Sequence, residues 1–402
     1  MKTKVKPEKV TAEDNDVNES VKADSNIKKH RHIQLKVLIT LTLIFILLNL
    51  ISQVSTGFCD MYQRYVFPLW GHTYGRLTSL LPFSFGELLI AIAVFGIPLS
   101  LILMVILLIV KKGRRKKVGK VFGFIYAWII LFILGTETLN CFVLYHTSTF
   151  EELNGIESNK HTVEELEALA FRIAGQVNDA AMEVQRDEQG RFVPTSDVSK
   201  APQQAVAALN GEFKNFGGYY VTPKPIYCSF FMSQMDLMGI YFPFSMEANY
   251  NNDMYKAKLP NTACHELAHT KGFMREDEAN FIAFVACDRS GDADLRYSGY
   301  LSALSYVRNK VFEYADDETK VELDTLICEE VWTDIEANRE YWDSVRKAED
   351  TVFDSETVSE VSDKAMEASL HMNGVADGKL SYGRMVDLML NYYGTHDFVG
   401  EN

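Results

Sequence analysis

The sequence predicts an α+β protein in two parts: three transmembrane helices, then a mainly helical domain carrying a small antiparallel sheet. Three observations lead there. Three apolar runs of membrane-spanning length all lie before residue 147. Charge divides at the same place. Residues 1–147 carry 18 Lys and Arg against 9 Asp and Glu, and the rest of the chain 22 against 45, so a part of net charge +9 precedes one of −23. Strand-like alternation is confined to residues 217–261, and the remaining periodic stretches repeat at helical spacing.

Residues 1–33 are rich in Lys, Glu, Asp, Asn and Ser and are expected to be a disordered cytoplasmic tail. Leu35–Val54 is the first span. A cleaved signal peptide is the competing reading, disfavoured by the long charged lead-in and the missing small-residue cleavage site. Residues 55–86 read as a loop whose aromatics, among them Tyr62, Phe67 and Trp70, suit a headgroup layer. Leu88–Val110 is the second span and about Val121–Tyr145 the third, separated by Lys111-Lys112-Gly113-Arg114-Arg115-Lys116-Lys117. Basic segments stay cytoplasmic, which puts the amino terminus and the 111–120 loop inside and the chain after Tyr145 outside the cytoplasmic membrane. Residues 34–147 are therefore a three-helix anchor in the lipid bilayer, and residues 148–402 an extracytoplasmic domain. Its acidity argues against nucleic acid or anionic lipid as its partner.

In that domain Thr162-Val163-Glu164-Glu165 is a capping box opening a helix to about Gln185, and a second helix lies near Pro202–Phe213. Tyr219–Val221, Ile226–Phe231 and Gly239–Phe244 are the expected strands. Later helices are expected over Gly299–Phe312, Glu329–Lys347, Asp354–Asn373 and Tyr382–Tyr393. The six cysteines match no disulfide framework.

Between sheet and late helices stands His265-Glu266-Leu267-Ala268-His269. Residues four apart on a helix share a face, so the two imidazoles can ligate one ion, and HExxH points to Zn²⁺ with Glu266 as general base toward a water. A closed structural site would add a Cys or His, but Cys264 adjoins His265 and projects about 100° away on a helix. Gly272 can end the helix in a left-handed conformation, after which Arg275–Asp288 reads as a second helix running back. Its opening, Glu276-Asp277-Glu278-Ala279-Asn280, resembles the ExxA(D/N) helix of the gluzincin metallopeptidases. The resemblance implies Glu276 as third metal ligand and Asn280 as the residue orienting a ligand histidine. Glu278 is the rival third ligand; a metzincin would have histidine at Arg275.

The chain also resembles a bacterial family of membrane proteins catalogued as domain of unknown function 3810. Leu81-Pro82-Phe83-Ser84-Phe85-Gly86-Glu87, Gly239–Phe244 running into Glu247-Ala248-Asn249, HELAH with EDEANF, Tyr297–Leu301 and Ser381–Arg384 carry the likeness. It implies a zincin-like ectodomain behind three spans. In zincins an edge strand above the site helix pairs with substrate, and Glu247, Ala248 and Asn249 are candidates for it. Tyr382 and Arg384, ahead of Tyr297 and Tyr300, are candidates to steady an oxyanion. The expectation is a membrane-anchored zinc metallopeptidase acting on a peptide or protein. A zinc-stabilised sensor without catalysis and a cell-wall amidase are the alternatives; an intramembrane protease fits poorly, because HExxH lies in a polar neighbourhood.

Overall fold

Backbone inside a bilayer has no water to bond to, so apolar spans must close their hydrogen bonds internally, and helices do so. In the computed structural model, which describes residues 12–347, 364, 384–394 and 396, α1 runs Ala12–Ser52, α2 Phe85–Val110 and α3 Arg115–Glu137. Three stretches, Arg31–Ser52, Phe85–Val110 and Lys112–His146, are long and apolar enough to cross a membrane. Leu43 and Phe95 are among the apolar side chains they leave exposed. Gly135 lets α1 and α3 touch, since a Cβ there would lie 2.8 Å from the Phe45 ring. Asn49 Nδ2 donates to Thr138 Oγ1 across the same seam at 2.7 Å. Helix also takes in the polar lead-in from Ala12 onward, where a disordered tail is expected. Extending a helix already nucleated by the span needs no new costly nucleus.

Residues 55–86 are mostly helix rather than loop. Thr56–Ser79 is almost continuously helical, with wide π turns at Tyr62–Val66 and Gly71–Gly75. Pro68, in the first turn after one of them, removes an N–H that regular winding would use. Tyr62 and Phe67 turn inward and form a core with Val143, Leu144, Met246 and Met274. Thr78 Oγ1 donates to Ser245 O at 3.1 Å. Residues on both sides of position 148 thus share apolar packing.

The sheet is mixed rather than antiparallel. β1 (Lys224–Ile226), β2 (Gly239–Phe242) and β3 (Glu247–Asn251) lie in the order β1-β3-β2; β3 runs parallel to β1 and antiparallel to β2, with Gly239 opposite Tyr250 and Phe242 opposite Glu247. Tyr219–Val221 forms no strand. The stretch expected as strand from Ile226 turns instead into a helix at Ser229–Gln234. There the Ser229 hydroxyl donates to Ile226 O at 2.6 Å, a local bond that competes with a ladder.

Helices make up most of the rest of the domain. α4 (Val163–Glu183) opens on the capping box of Thr162 and Glu165 and buries Leu166, Leu169, Ile173 and Val177. α5 (Ala201–Ala208), α6 (Leu259–Thr270), α7 (Glu276–Asp288), α8 (Ala293–Tyr314), α9 (Asp317–Leu326), α10 (Glu329–Lys347) and α11 (Arg384–Tyr393) complete the domain. The helix expected over Asp354–Asn373 falls outside the described residues, apart from the lone position 364.

Candidate functional site

Proline in the first turn of α6 suits Pro260, whose missing N–H has no partner to lose there. The winding that follows buries Ala263, Cys264, Leu267 and Ala268 completely and turns His265 and His269 to the opposite side. α6 stops because Gly272 takes φ +94°, and a Cβ there would also meet Gln63 Cγ at 2.9 Å. Gln63 Nε2 donates to Gly272 O at 2.9 Å, so the turn is held by the segment that precedes the second span. Lys271, at the C-cap of this helix, donates to Gly217 O at 2.6 Å and lies over the Tyr220 ring. Arg275 is extended, and Glu276 opens α7 facing back toward α6.

The two helices bring three ligand-capable side chains together. His265 Nε2 lies 3.0 Å from His269 Nε2 and 3.1 Å from Glu276 Oε2, and His269 Nε2 lies 3.6 Å from Glu276 Oε1. A tetrahedral ion with bonds of about 2.0–2.1 Å separates its ligand atoms by roughly 3.3–3.4 Å, so these spacings match one face of such a site. The other imidazole nitrogens are engaged. His269 Nδ1 donates to Phe273 O at 2.7 Å and His265 Nδ1 bonds Asn280 Oδ1 at 2.8 Å. A carbonyl can only accept, which fixes the His269 tautomer and leaves its Nε2 lone pair facing Glu276. The cluster could hold a metal ion.

Burial and the Glu276 carboxylate set the charges in the cluster. Burial pushes His269 down to about 4, keeping it neutral. Burial opposes protonation of His265 too, but Glu276 beside it outweighs this and raises it to about 9. Burial works against the Glu276 carboxylate, yet the two histidines hold it down to about 2. Glu266 is pushed up to about 8 by burial, with His265 opposing and Glu276 adding to the rise. Its Oε2 is buried without a hydrogen-bond partner among the described residues. Glu278, the rival ligand, points elsewhere: Oε1 accepts from Phe150 N at 2.9 Å and Arg275 Nη1 at 3.0 Å. Arg275 in turn donates to Tyr145 O and Thr147 O, tying the start of α7 to the end of the third span.

A cavity of about 710 Å³ opens over the cluster, lined by Gly239, Ile240 and Tyr241 of β2, by Lys258, Asn261 and Thr262, by Tyr306 of α8, and by Cys141 and Tyr145 from the third span. A family described as "Protein of unknown function (DUF3810)" matches residues 62–390. The chain belongs to the DUF3810 family. No curated protein and no solved structure matches it. The DUF3810 match begins inside the helical segment before the second span and takes in both site helices, so it covers the shared core as well as the cluster.

Other expected site residues lie apart. Glu247, Ala248 and Asn249 cannot form the edge strand, because β3 is central and all three are buried. Glu247, 1% exposed, takes Lys224 Nζ at 2.7 Å and the N–H groups of Phe85 and Gly86 at 3.0 and 2.7 Å, capping the second span. The edge beside the cavity belongs to β2. Tyr297 donates to Asp334 and Tyr300 to Asp288, both in the core. Arg384 pairs with Asp277 at 3.2 Å and does not line the cavity. Tyr382 lies outside the described residues. The sequence reading missed Gly239, whose Cβ, if present, would stand 2.2 Å from Glu266 Oε1. A glycine inside a strand often marks such an approach, and that was the available signal.

Proposed function

We propose that this DUF3810 protein is a membrane-anchored zinc metallopeptidase of gluzincin-like arrangement, hydrolysing peptide bonds outside the cytoplasmic membrane. The observation that carries the reading is the trio of ligand atoms 3.0–3.6 Å apart with a buried, unpaired Glu266 oxygen beside it in one cavity. His265, His269 and Glu276 would hold the ion. Zinc, when bound, supplies a Lewis acid that polarises a carbonyl and an attacking water. Glu266 takes the proton of that water and passes it to the departing amine. Asn280 and the Phe273 carbonyl hold the two rings in register. The edge of β2 turned away from β3 offers backbone groups to an extended substrate. Tyr306, pushed up to about 12 by burial and then by the nearby Glu276 charge, keeps its proton and can donate to a carbonyl oxygen.

The orientation follows from charge. Ser52, Phe85 and His146 are the ends of the spans nearest the domain, and Lys111–Lys117 lies at the opposite ends of the second and third. A basic loop retained inside leaves the domain outside. The test is full-length protein in detergent incubated with a diverse peptide mixture, the products read by mass spectrometry, beside Glu266→Ala. Cleavage only by the unsubstituted chain supports the reading; equal cleavage by both, or by neither with zinc bound, refutes it.

A further inference from the structure

The sequence separates HExxH from the last span by over a hundred residues, but the fold brings the two together. Gly86, the second residue of α2, packs so closely on the domain that a Cβ there would lie 2.2 Å from the Phe242 ring. Asn140, near the end of the third span, donates to Pro243 O at 2.7 Å. The Phe242–Pro243 end of β2 therefore rests on the ends of two spans. Three residues up the same strand, Gly239 stands against Glu266. At about 3.3 Å per residue, the proposed base lies roughly 10 Å along β2 from the membrane end. Among the described residues β2 pairs only with β3, leaving its other edge open beside the cavity.

A second feature stands at the same level. Glu87, one residue past Gly86, accepts from Tyr227 N at 3.0 Å and Cys228 N at 2.7 Å. This pins the turn that leads into Ser229–Gln234 beside the top of the second span. Tyr227, Phe230 and Phe231 are 73, 44 and 60% exposed there. Aromatic side chains placed beside a span mouth fit the headgroup layer of a bilayer.

Resting on the peptidase reading, we propose that the substrates are polypeptides themselves anchored in the membrane, cut within about three to five residues of the bilayer boundary. A chain leaving the bilayer beside Phe242 and Pro243 would pair along β2 and reach Glu266 within that length. Water adds across the peptide bond, leaving a carboxylate on the membrane-distal or membrane-proximal piece according to strand direction and an amine on the other.

The full chain in phosphatidylethanolamine–phosphatidylglycerol vesicles is offered three substrates: a single-span peptide with a mixed-sequence outer segment, the same peptide with ten residues inserted next to the bilayer, and the outer segment alone in solution. The expected result is that the insertion moves the cut to new residues at the same distance from the membrane, with the soluble segment cut at least tenfold more slowly. A cut that stays at the same sequence after insertion, or equal cleavage of the soluble segment, overturns the proposal. Cleavage of none of the three removes the peptidase reading together with it. A nitroxide on Cys228, with Cys228→Ser as blank, tests the seating without catalysis. Greater collision with oxygen than with a polar nickel complex supports the membrane contact, and the reverse overturns it.

Discussion

Replacing Glu247 by Ala would cut the joint between sheet and membrane anchor. Its carboxylate holds Lys224 Nζ at 2.7 Å and caps two N–H groups at the start of the second span, and the Lys224 and Glu247 side chains are 4% and 1% exposed. Lys224 would keep Thr78 O and Phe83 O as acceptors but no opposite charge. Removing one member of a buried pair costs about 3–5 kcal/mol, because the other charge stays buried without a partner. For a domain of this size each kcal/mol shifts Tm by roughly 2–4 °C, so the expected loss is roughly 6–20 °C. The assay is thermal unfolding of the full chain in detergent. The double variant Lys224→Met/Glu247→Leu removes both charges and is expected to recover part of the loss. A Tm for Glu247→Ala within about 2 °C of the parent would refute the reasoning that this pair joins the two parts.

Three further predictions follow. A fragment of residues 148–402 lacks Tyr62, Phe67 and the Gln63 bond to Gly272; it is expected to aggregate or unfold well below the full chain in a melting assay, and an equal melting temperature would contradict the shared core. Gly239→Ala puts a methyl 2.2 Å from Glu266 Oε1 and must displace that carboxylate by about 1 Å; a shift of that size costs about 100-fold in turnover, with zinc content unchanged, and undiminished kinetics would count against Glu266 as base. Metal binding should displace protons, because a cation opposes those on His265, raised to about 9, and on Glu266, raised to about 8, while His269 stays neutral and Glu276 ionised; zinc affinity measured from pH 6 to 8 is then expected to rise by at least about tenfold per unit, and a flat profile would show the cluster deprotonated beforehand.

The members of this cluster were more legible in the sequence than the surroundings that hold them. Spacing alone places His265 and His269 one turn apart, and Gly272 announces the end of their helix because few other residues take its φ of +94°. Between Glu276 and Glu278 spacing could not choose. That depended on Arg275 and Phe150 N drawing Glu278 away, with Arg275 itself held by Tyr145 O of the third span. Glu247 was assigned to substrate because it precedes the motif; its real partners are 23 and more than 160 residues distant, and no local pattern encodes them. The aromatics of residues 55–86 carried the same ambiguity. Tyr62 and Phe67 suit a headgroup layer by composition, and only the fold of the later domain gives them an apolar surface to cover. The resemblance through Leu81–Glu87 pointed at this junction without explaining it: that stretch supplies the Phe83 carbonyl to Lys224 and the N–H groups to Glu247.

The most direct measurement is bound zinc per chain, by mass spectrometry of the purified full-length protein and its single-site variants. One zinc is expected in the parent, in Glu266→Ala and in Glu278→Gln, and less than a tenth of that in His265→Ala, His269→Ala and Glu276→Ala. Undiminished zinc in Glu276→Ala, or its loss in Glu278→Gln with the fold intact, would contradict the assignment of the three ligands.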